Sequence, residues 1–186
     1  MSNLVFFDLE TQYLYTDLNL DRRDPKSVAQ LRLAIAGVLV NGRPSFFTED
    51  EVDNLFQALI KADTIVGHNL VRFDYIVLKP YFDYDIHTLL GAKTLDIMRE
   101  IDKKTRCWTG LNSLCKLNLG MTKTEDTLNI PKLWREGKHE EVRRYLLNDL
   151  KMTEALYNYG KKYGKLKYEH KEYGESWGIR EVSVEW

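Results

Sequence analysis

One acidic residue interrupts the first apolar segment of the sequence, and a second directly follows it. Residues 4–9 read LVFFDL, a run of strand length that is rich in residues favouring β-strands. Asp8 lies within this run and Glu10 follows it, so both side chains would point to the same face of a strand. An exposed face is the ordinary explanation of an Asp-x-Glu pair, but the apolar neighbours of Asp8 argue against it.

Two further acids stand in settings that favour a shared site. Asp74 ends the segment NLVRFD, residues 69–74, between a predicted strand and a predicted helix. Asp149 follows Tyr145 by four residues in the longest predicted helix, so the two share one helix face. Each has a simpler explanation alone, since Asp74 can be a charge at a helix start. Tyr145 and Asp149 can likewise be a solvated helix pair.

Carboxylates that converge from three segments have a specific chemical use. They repel one another unless protons or cations neutralise them. Oxygen ligands suit hard cations such as Mg²⁺ and Mn²⁺. Two such ions about 3.5–4 Å apart can activate a water and stabilise the leaving oxygen of a phosphodiester. Such a two-metal site would explain why acids converge from three distant segments.

The elements that must position these acids follow an α/β order. Strands are predicted at 4–9, 31–40 and 43–48, and Asn41-Gly42 is a strong hairpin signal. The further predicted elements are a helix after Glu49-Asp50-Glu51, a strand at 64–66, a helix at 71–79, a strand or turn-rich segment at 94–98, and helices at 110–117, from 131 and at 138–163. This order predicts a mixed sheet, a three-strand antiparallel meander plus parallel strands, with helices on both faces.

The rest of the chain is predicted from simpler signals. Residues 11–30 are polar and irregular and are expected to form a long loop. The alternating patches at 165–170 and 179–186 predict either an edge hairpin or a segment lying over the core. No repeat or linker divides the sequence, so one domain over residues 1–186 is expected, with 165–186 as a C-terminal extension.

Composition excludes several classes of protein. The chain has 186 residues, 44% hydrophobic and 30% charged, which is an ordinary globular composition. Its 27 basic and 28 acidic residues give a net charge of −1, which excludes a tail-driven nucleic-acid binder but permits a local basic groove. Five basic residues could contact phosphates or simply keep the protein in solution: Arg22, Arg23, Lys103, Lys104 and Arg106. No P-loop or G-x-S-x-G motif occurs.

Cysteine usage and hydropathy bear on location. Cys107 and Cys115 match no zinc motif and are expected to be buried thiols in a reducing cytoplasm. The sequence shows no signal peptide and no apolar run long enough to cross a membrane. A cytoplasmic protein without a membrane partner is therefore expected. Three histidines without ligand-like spacing are expected at the surface: His87, His139 and His170.

Three motifs taken together resemble a known family. FDLET at 7–11, N-x-x-x-F-D at 69–74 and Y-x-x-x-D at 145–149 resemble the three motifs of the DEDD superfamily of 3′–5′ exonucleases. The third has the tyrosine form, because the histidine form would need a histidine where this chain has Arg144. Over about residues 4–160 the chain resembles the proofreading domains of family B DNA polymerases and the stand-alone bacterial ribonuclease H-like exonucleases.

The resemblance implies a fold, an activity and partners. The fold would be ribonuclease H-like. The activity would release nucleoside monophosphates from the 3′ ends of single-stranded DNA or RNA, and DNA is the more expected substrate. Two divalent cations, Mg²⁺ or Mn²⁺, would be the cofactors. The chain carries no polymerase sequence, so a helicase or polymerase partner would be a separate protein. DNA repair is a setting consistent with this activity.

The resemblance also implies roles for the acids. Asp8 would bridge both cations, while Glu10 and Asp149 would hold the cation on the nucleophile side. Asp74 would hold the other cation, largely through water. Tyr145 would position the attacking water.

Four further residues are implied in substrate binding. Asn69 and Phe73 match the second motif and would support the site or contact the terminal nucleotide. Thr11 ends the first motif, and His68 precedes Asn69. A supporting structural role for His68 is also open.

Two other functions remain open from the sequence. One is a nucleic-acid-binding module of the same fold without activity, against which the presence of all four acids and the tyrosine argues. The other is a ribonuclease H-like endonuclease. The tyrosine four residues before the last aspartate favours an exonuclease over it.

Overall fold

A computed structural model describes residues 3–24, 26–122, 129–172 and 175–186. Its strands are β1 (Leu4–Thr11), β2 (Leu33–Val40), β3 (Arg43–Thr48), β4 (Thr64–Gly67), β5 (Thr94–Asp96), β6 (Lys165–Glu172) and β7 (Glu175–Ser183). Its helices are α1 (Val52–Ile60), α2 (Asp74–Leu78), α3 (Ile86–Leu90), α4 (Ile97–Thr105), α5 (Leu111–Leu119), α6 (Ile130–Arg135) and α7 (His139–Tyr163).

The central sheet has five strands in the order β3-β2-β1-β4-β5. β1, β2 and β3 pair antiparallel, whereas β4 pairs parallel with both β1 and β5. The turn at Asn41-Gly42 has φ of +50° and +73°, and positive φ at both positions matches the twist of a two-residue hairpin. The predicted meander extended by parallel strands is confirmed, and it is consistent with a ribonuclease H-like fold.

Alternation along β1 divides the core into two layers. Val5, Phe7 and Leu9 pack in the cluster that contains the apolar residues of α1, α2 and α3. Phe6 points the other way, into the cluster formed with α4, α5, α6 and α7. Helices thus cover both faces of the sheet, as predicted. Asp8 and Glu10 have the parity of Phe6, so they face the α7 side.

A glycine on β2 lets α7 approach the sheet closely. Gly37 pairs with Asp8, and a Cβ atom at this position would lie 2.8 Å from Cδ1 of Leu150 and 3.1 Å from Cδ2 of Leu146. A larger side chain would therefore push the helix away from β1. The close approach brings Asp149, which lies between these two leucines, towards the acidic face of β1.

The helix expected at 71–79 begins only at Asp74 and continues as a 3-10 turn at Lys79–Tyr81. The preceding chain forms a loop, and Phe73, directly before the helix, has φ of −129° and ψ of −74°, outside the α-helical region. β2 likewise begins at Leu33 rather than at residue 31, because Arg32 has a φ of +56°. The short helix α3 and the helix α4 were not expected from the sequence.

The C-terminal segment forms a hairpin that lies over the core. β6 and β7 pair antiparallel as a separate sheet. Leu166, Tyr168, Val182 and Val184 are buried in the same apolar cluster as α5 and α7. Both cysteines are buried, as expected. Among the described helices, none combines the length and apolar composition that a membrane span needs.

Candidate functional site

Three carboxylates meet between β1 and α7. One carboxylate oxygen from each of Asp8, Glu10 and Asp149 lies within 4.8 Å of the others. Strand alternation directs the first two to the α7 side, and Asp149 is buried at the interface. An all-oxygen group of this kind could bind a metal ion of the hard class.

Asp74 interacts electrostatically with Asp8 and Glu10 of this cluster. It is the first residue of α2 and is only 2% exposed, and among the described residues no hydrogen-bond donor reaches its Oδ1. Burial raises the pKa of Asp74 well above its ordinary value, and the neighbouring charge of Asp8 raises it further, with smaller effects from Asp96 and Glu10. A buried carboxylate oxygen that no donor reaches fits a position beside a cation.

The acids line a cavity of about 690 Å³. The residues expected to bind substrate, Thr11, His68, Asn69 and Phe73, line the same cavity as Asp8, Glu10, Asp74 and Asp149. This volume is within the usual range for a site that encloses a small organic molecule. The structure therefore brings together every acid and every substrate-binding residue that the sequence suggested, and their functions stay predictions.

The loop before Asp74 is held by an acid that sequence reasoning missed. Asp96 accepts hydrogen bonds from the backbone N–H groups of Asn69 at 2.8 Å and Val71 at 3.1 Å. It also caps α4 by accepting from the N–H of Arg99 at 3.3 Å. Its sequence signal is an acid at the end of a short strand directly before an amphipathic segment.

Tyr145 stands apart from the cavity lining. The residue is 4% exposed and packs in the core cluster on the α7 side. It is not among the described residues that line the cavity, whereas Thr153, one helical turn beyond Asp149, is. Thr153 was not expected at the site, although its spacing of four residues from Asp149 indicates a shared helix face. The role of Tyr145 stays a prediction.

The first part of the predicted long loop forms one wall of the cavity. Tyr13, Leu14 and Tyr15 line it. Arg135 holds this wall, because its Nη1 donates to the carbonyl oxygen of Gln12 at 2.6 Å and its guanidinium lies 5.3 Å from the centre of the Tyr13 ring. The aromatic residues of this wall were also not predicted as site residues, because a polar, irregular segment has no periodic pattern that indicates which side chains share a face.

The histidines differ in their surroundings. His68 donates from Nε2 to the carbonyl oxygen of Thr109 at 2.7 Å, so one ring nitrogen serves the structure while the residue lines the cavity. His139 is exposed and His87 is half-buried. The expectation that His170 lies at the surface is wrong: the residue is buried, with Nδ1 3.2 Å from Sγ of Cys107. It lies on β6, whose inner face packs on the core.

Comparison with known proteins identifies the fold. No family model and no curated protein matches the sequence. Among solved structures, the family B DNA polymerase from the hyperthermophilic archaeon Pyrobaculum calidifontis matches with a TM-score of 0.61 and 18% identity. The match covers 87% of this chain and 24% of the polymerase chain, so this chain spans about a quarter of the polymerase's length. At this identity the likeness shows the shared fold.

Proposed function

We propose that the protein is a metal-dependent 3′–5′ exonuclease that hydrolyses single-stranded nucleic acid to nucleoside monophosphates. DNA is the expected substrate in preference to RNA. The single observation that carries the proposal is the convergence of Asp8, Glu10 and Asp149 within 4.8 Å, in a cavity that Asp74 also lines. The likeness in fold to a DNA polymerase chain supports the same class of substrate. In this proposal residues 1–186 act as one exonuclease domain.

The donor set fits two divalent cations, Mg²⁺ or Mn²⁺. Asp8, Glu10, Asp74 and Asp149 would hold them, and no cysteine lines the cavity among the described residues. The bound cations would neutralise the four acids, acidify the attacking water and stabilise the charge of the reacting phosphate. Asp74 is the acid most in need of such a partner, because it is the deepest buried of the four.

The other lining residues would orient the substrate. Phe73 and Tyr13 offer aromatic rings to the terminal base, and base stacking on such rings does not depend on sequence. Asn69 and Thr11 supply polar groups for the sugar and phosphate of the same nucleotide. The cavity is large enough for one nucleotide and its reacting phosphate, which favours removal of single residues from an end.

Tyr145 is proposed to orient the attacking water beside Asp149. The two residues are four positions apart on the helix, about 6 Å along its axis. Catalytic hydrogen bonds are often long before substrate binds and tighten in the complex. The packing of Tyr145 in the core is consistent with a fixed orientation of its ring.

The direct test uses end-labelled single-stranded DNA and RNA with Mg²⁺, with Mn²⁺ and with excess EDTA. We expect stepwise shortening of 5′-labelled strands, release of nucleoside monophosphates, and no reaction in EDTA or with the Asp149→Ala variant. Undiminished hydrolysis in EDTA would refute the metal-dependent proposal. Cleavage of a covalently closed single-stranded circle would assign the protein to the endonucleases. Metal-independent binding without hydrolysis would make it a binding module.

A further inference from the structure

An exposed tryptophan stacks against an arginine on the protein surface. Trp108 is 66% exposed, although tryptophan is usually among the most buried residues of a folded chain. The guanidinium carbon of Arg72 lies 4.3 Å from the centre of a Trp108 ring, a cation–π contact. Asp102 forms an ion pair with Arg72 at 3.4 Å. One flat face of the indole is therefore supported, and much of its surface is left to solvent.

Both residues of this pair are close in the sequence to residues that line the cavity. Arg72 directly precedes Phe73, and Trp108 is two residues before Gly110. Phe73 and Gly110 both line the cavity. Because each partner of the stack is next or nearly next in the sequence to a lining residue, a strand that leaves the cavity beside Phe73 and Gly110 would meet the indole.

Contacts on both sides of Trp108 fix its backbone. On one side, buried Cys107 places Sγ 3.2 Å from Nδ1 of His170 on the C-terminal hairpin. On the other side, the carbonyl oxygen of Thr109 accepts the hydrogen bond from His68 at 2.7 Å. The surface of Trp108 is thus presented in a fixed place, which reduces the ordering needed when a ligand binds.

The charge around the indole suits a phosphate backbone. Arg106 is exposed and lies two residues before Trp108. Lys103 and Lys104 are exposed at the last turn of α4, where they form ion pairs with Glu100 and Glu185. An aromatic face bordered by positive charge is the arrangement that binds single-stranded nucleic acid without reading its sequence. A duplex keeps its bases stacked and has no free base face to offer this surface.

We infer that Trp108 and Arg72 form a stacking platform for an unpaired base of single-stranded nucleic acid, at a nucleotide upstream of the one in the cavity. The inference rests on the proposed function and adds a second nucleotide site to it. Base stacking at the platform holds the strand while the terminal nucleotide occupies the cavity.

Binding is measured by fluorescence anisotropy of a labelled oligothymidylate of ten nucleotides, in EDTA and again in Ca²⁺, with the full chain. Trp108→Ala should weaken binding by about 5- to 150-fold. Trp108→Phe, which keeps an aromatic face, should restore most of the loss. Trp177→Ala is the matched control, since Trp177 is 59% exposed on β7 and should not affect binding. Arg72→Ala should weaken binding less than Trp108→Ala.

A small substrate separates this inference from the proposed function. The p-nitrophenyl ester of thymidine 5′-monophosphate occupies the cavity alone, so Trp108→Ala should hydrolyse it with Mn²⁺ at the wild-type rate. Three outcomes would refute the stacking platform, whatever the result with the ester. Wild type and Trp108→Ala could bind the oligonucleotide equally, Trp177→Ala could lose as much affinity as Trp108→Ala, or wild type could fail to bind the oligonucleotide. Weakened binding by Trp108→Ala with an ester that wild type fails to hydrolyse supports the platform and counts against the exonuclease.

Discussion

Gly37 on β2 lies directly opposite Asp8 on β1, and a Cβ atom at residue 37 would lie 2.8 Å from Cδ1 of Leu150. The glycine therefore sets how closely α7 approaches the strand that carries Asp8. Since Leu150 is next to Asp149, any shift of α7 at this point also separates the acids.

Gly37→Ala should weaken both the fold and the site. Overpacking of this kind lowers the free energy of unfolding by about 1–3 kcal/mol. We expect a cost near the lower limit, because the flexible ends of the leucine side chains can move away from the added Cβ atom. We expect a lower urea midpoint and a smaller rise in melting temperature on addition of Mn²⁺. Gly91→Ala is the control, because a Cβ there meets nothing within 4 Å. An unchanged Mn²⁺ response in Gly37→Ala would show that the approach of α7 does not set the spacing of the acids.

Removal of one buried charge should stabilise the metal-free protein. Asp74→Asn keeps the volume of the side chain but removes the negative charge that faces Asp8 in a buried position. In EDTA we expect a gain of about 1–2 kcal/mol, or about 2–8 °C in melting temperature for a chain of this size. The rise in melting temperature that we expect for the wild type on addition of Mn²⁺ should be lost or strongly reduced in this variant.

Asp96→Asn is the matched comparison, because Asp96 is also a buried acid near the site. Its oxygens accept three backbone hydrogen bonds, from Asn69, Val71 and Arg99. An amide in its place turns one acceptor into a donor, so this variant should be less stable than wild type. If Asp74→Asn also lost stability in EDTA, Asp74 would be a structural acid rather than a cation ligand.

Local periodicity explains why much of the fold and the acid cluster could be predicted. The same-face placement of Asp8 and Glu10 follows from the two-residue repeat of a strand. Asn41-Gly42 fixes the β2–β3 hairpin through its own backbone preferences. These are properties of short segments, so they can be predicted from one sequence alone.

Features that depend on distant contacts could not be predicted. Asp96 acts by accepting amides from a loop 25 and 27 residues earlier in the chain. The start of α2 at Asp74 depends on that loop, because the hydrogen bonds to Asp96 hold it in a non-helical conformation. The wall containing Tyr13 is likewise fixed by Arg135, a contact across 123 residues of sequence from Gln12.

A pH-dependent stability is expected from the network around Glu49. Its carboxylate accepts hydrogen bonds from Arg32 at 2.7 Å, Gln12 at 2.8 Å and the Tyr81 hydroxyl at 2.5 Å. Burial raises the pKa of Glu49, but these hydrogen bonds outweigh it and the pKa lies below its ordinary value of 4.5. A lowered pKa stabilises the fold at pH values above the unfolded value, and this stabilisation is lost as the pH falls through the folded value.

Glu49→Gln isolates this contribution. At pH 7 the variant should be about 1–2 kcal/mol less stable than wild type in urea unfolding. The difference should begin to shrink as the pH falls below about 4.5, where the carboxyl of the unfolded chain becomes protonated, and should go on shrinking as the pH falls through the lower folded pKa. Asp83→Asn, a change at an exposed acid, is the control and should show no such dependence. A difference that stayed constant between pH 7 and pH 3.5 would assign the effect to packing instead of charge.

The last prediction concerns the hydroxyl of Tyr145, which we propose positions the attacking water. Tyr145 and Thr153 lie one helical turn on either side of Asp149, but only Thr153 lines the cavity among the described residues. The ordinary pKa of a phenol is about 10, so Tyr145 is a poor free base near neutral pH and would act by orientation. With cations saturating, Tyr145→Phe should lower the single-turnover rate about 10–1,000-fold while oligonucleotide and Mn²⁺ binding persist. Thr153→Val should lower the single-turnover rate less than Tyr145→Phe does. The opposite order, with Tyr145→Phe at the wild-type rate and Thr153→Val impaired, would make Tyr145 a packing residue and transfer the positioning role to Thr153.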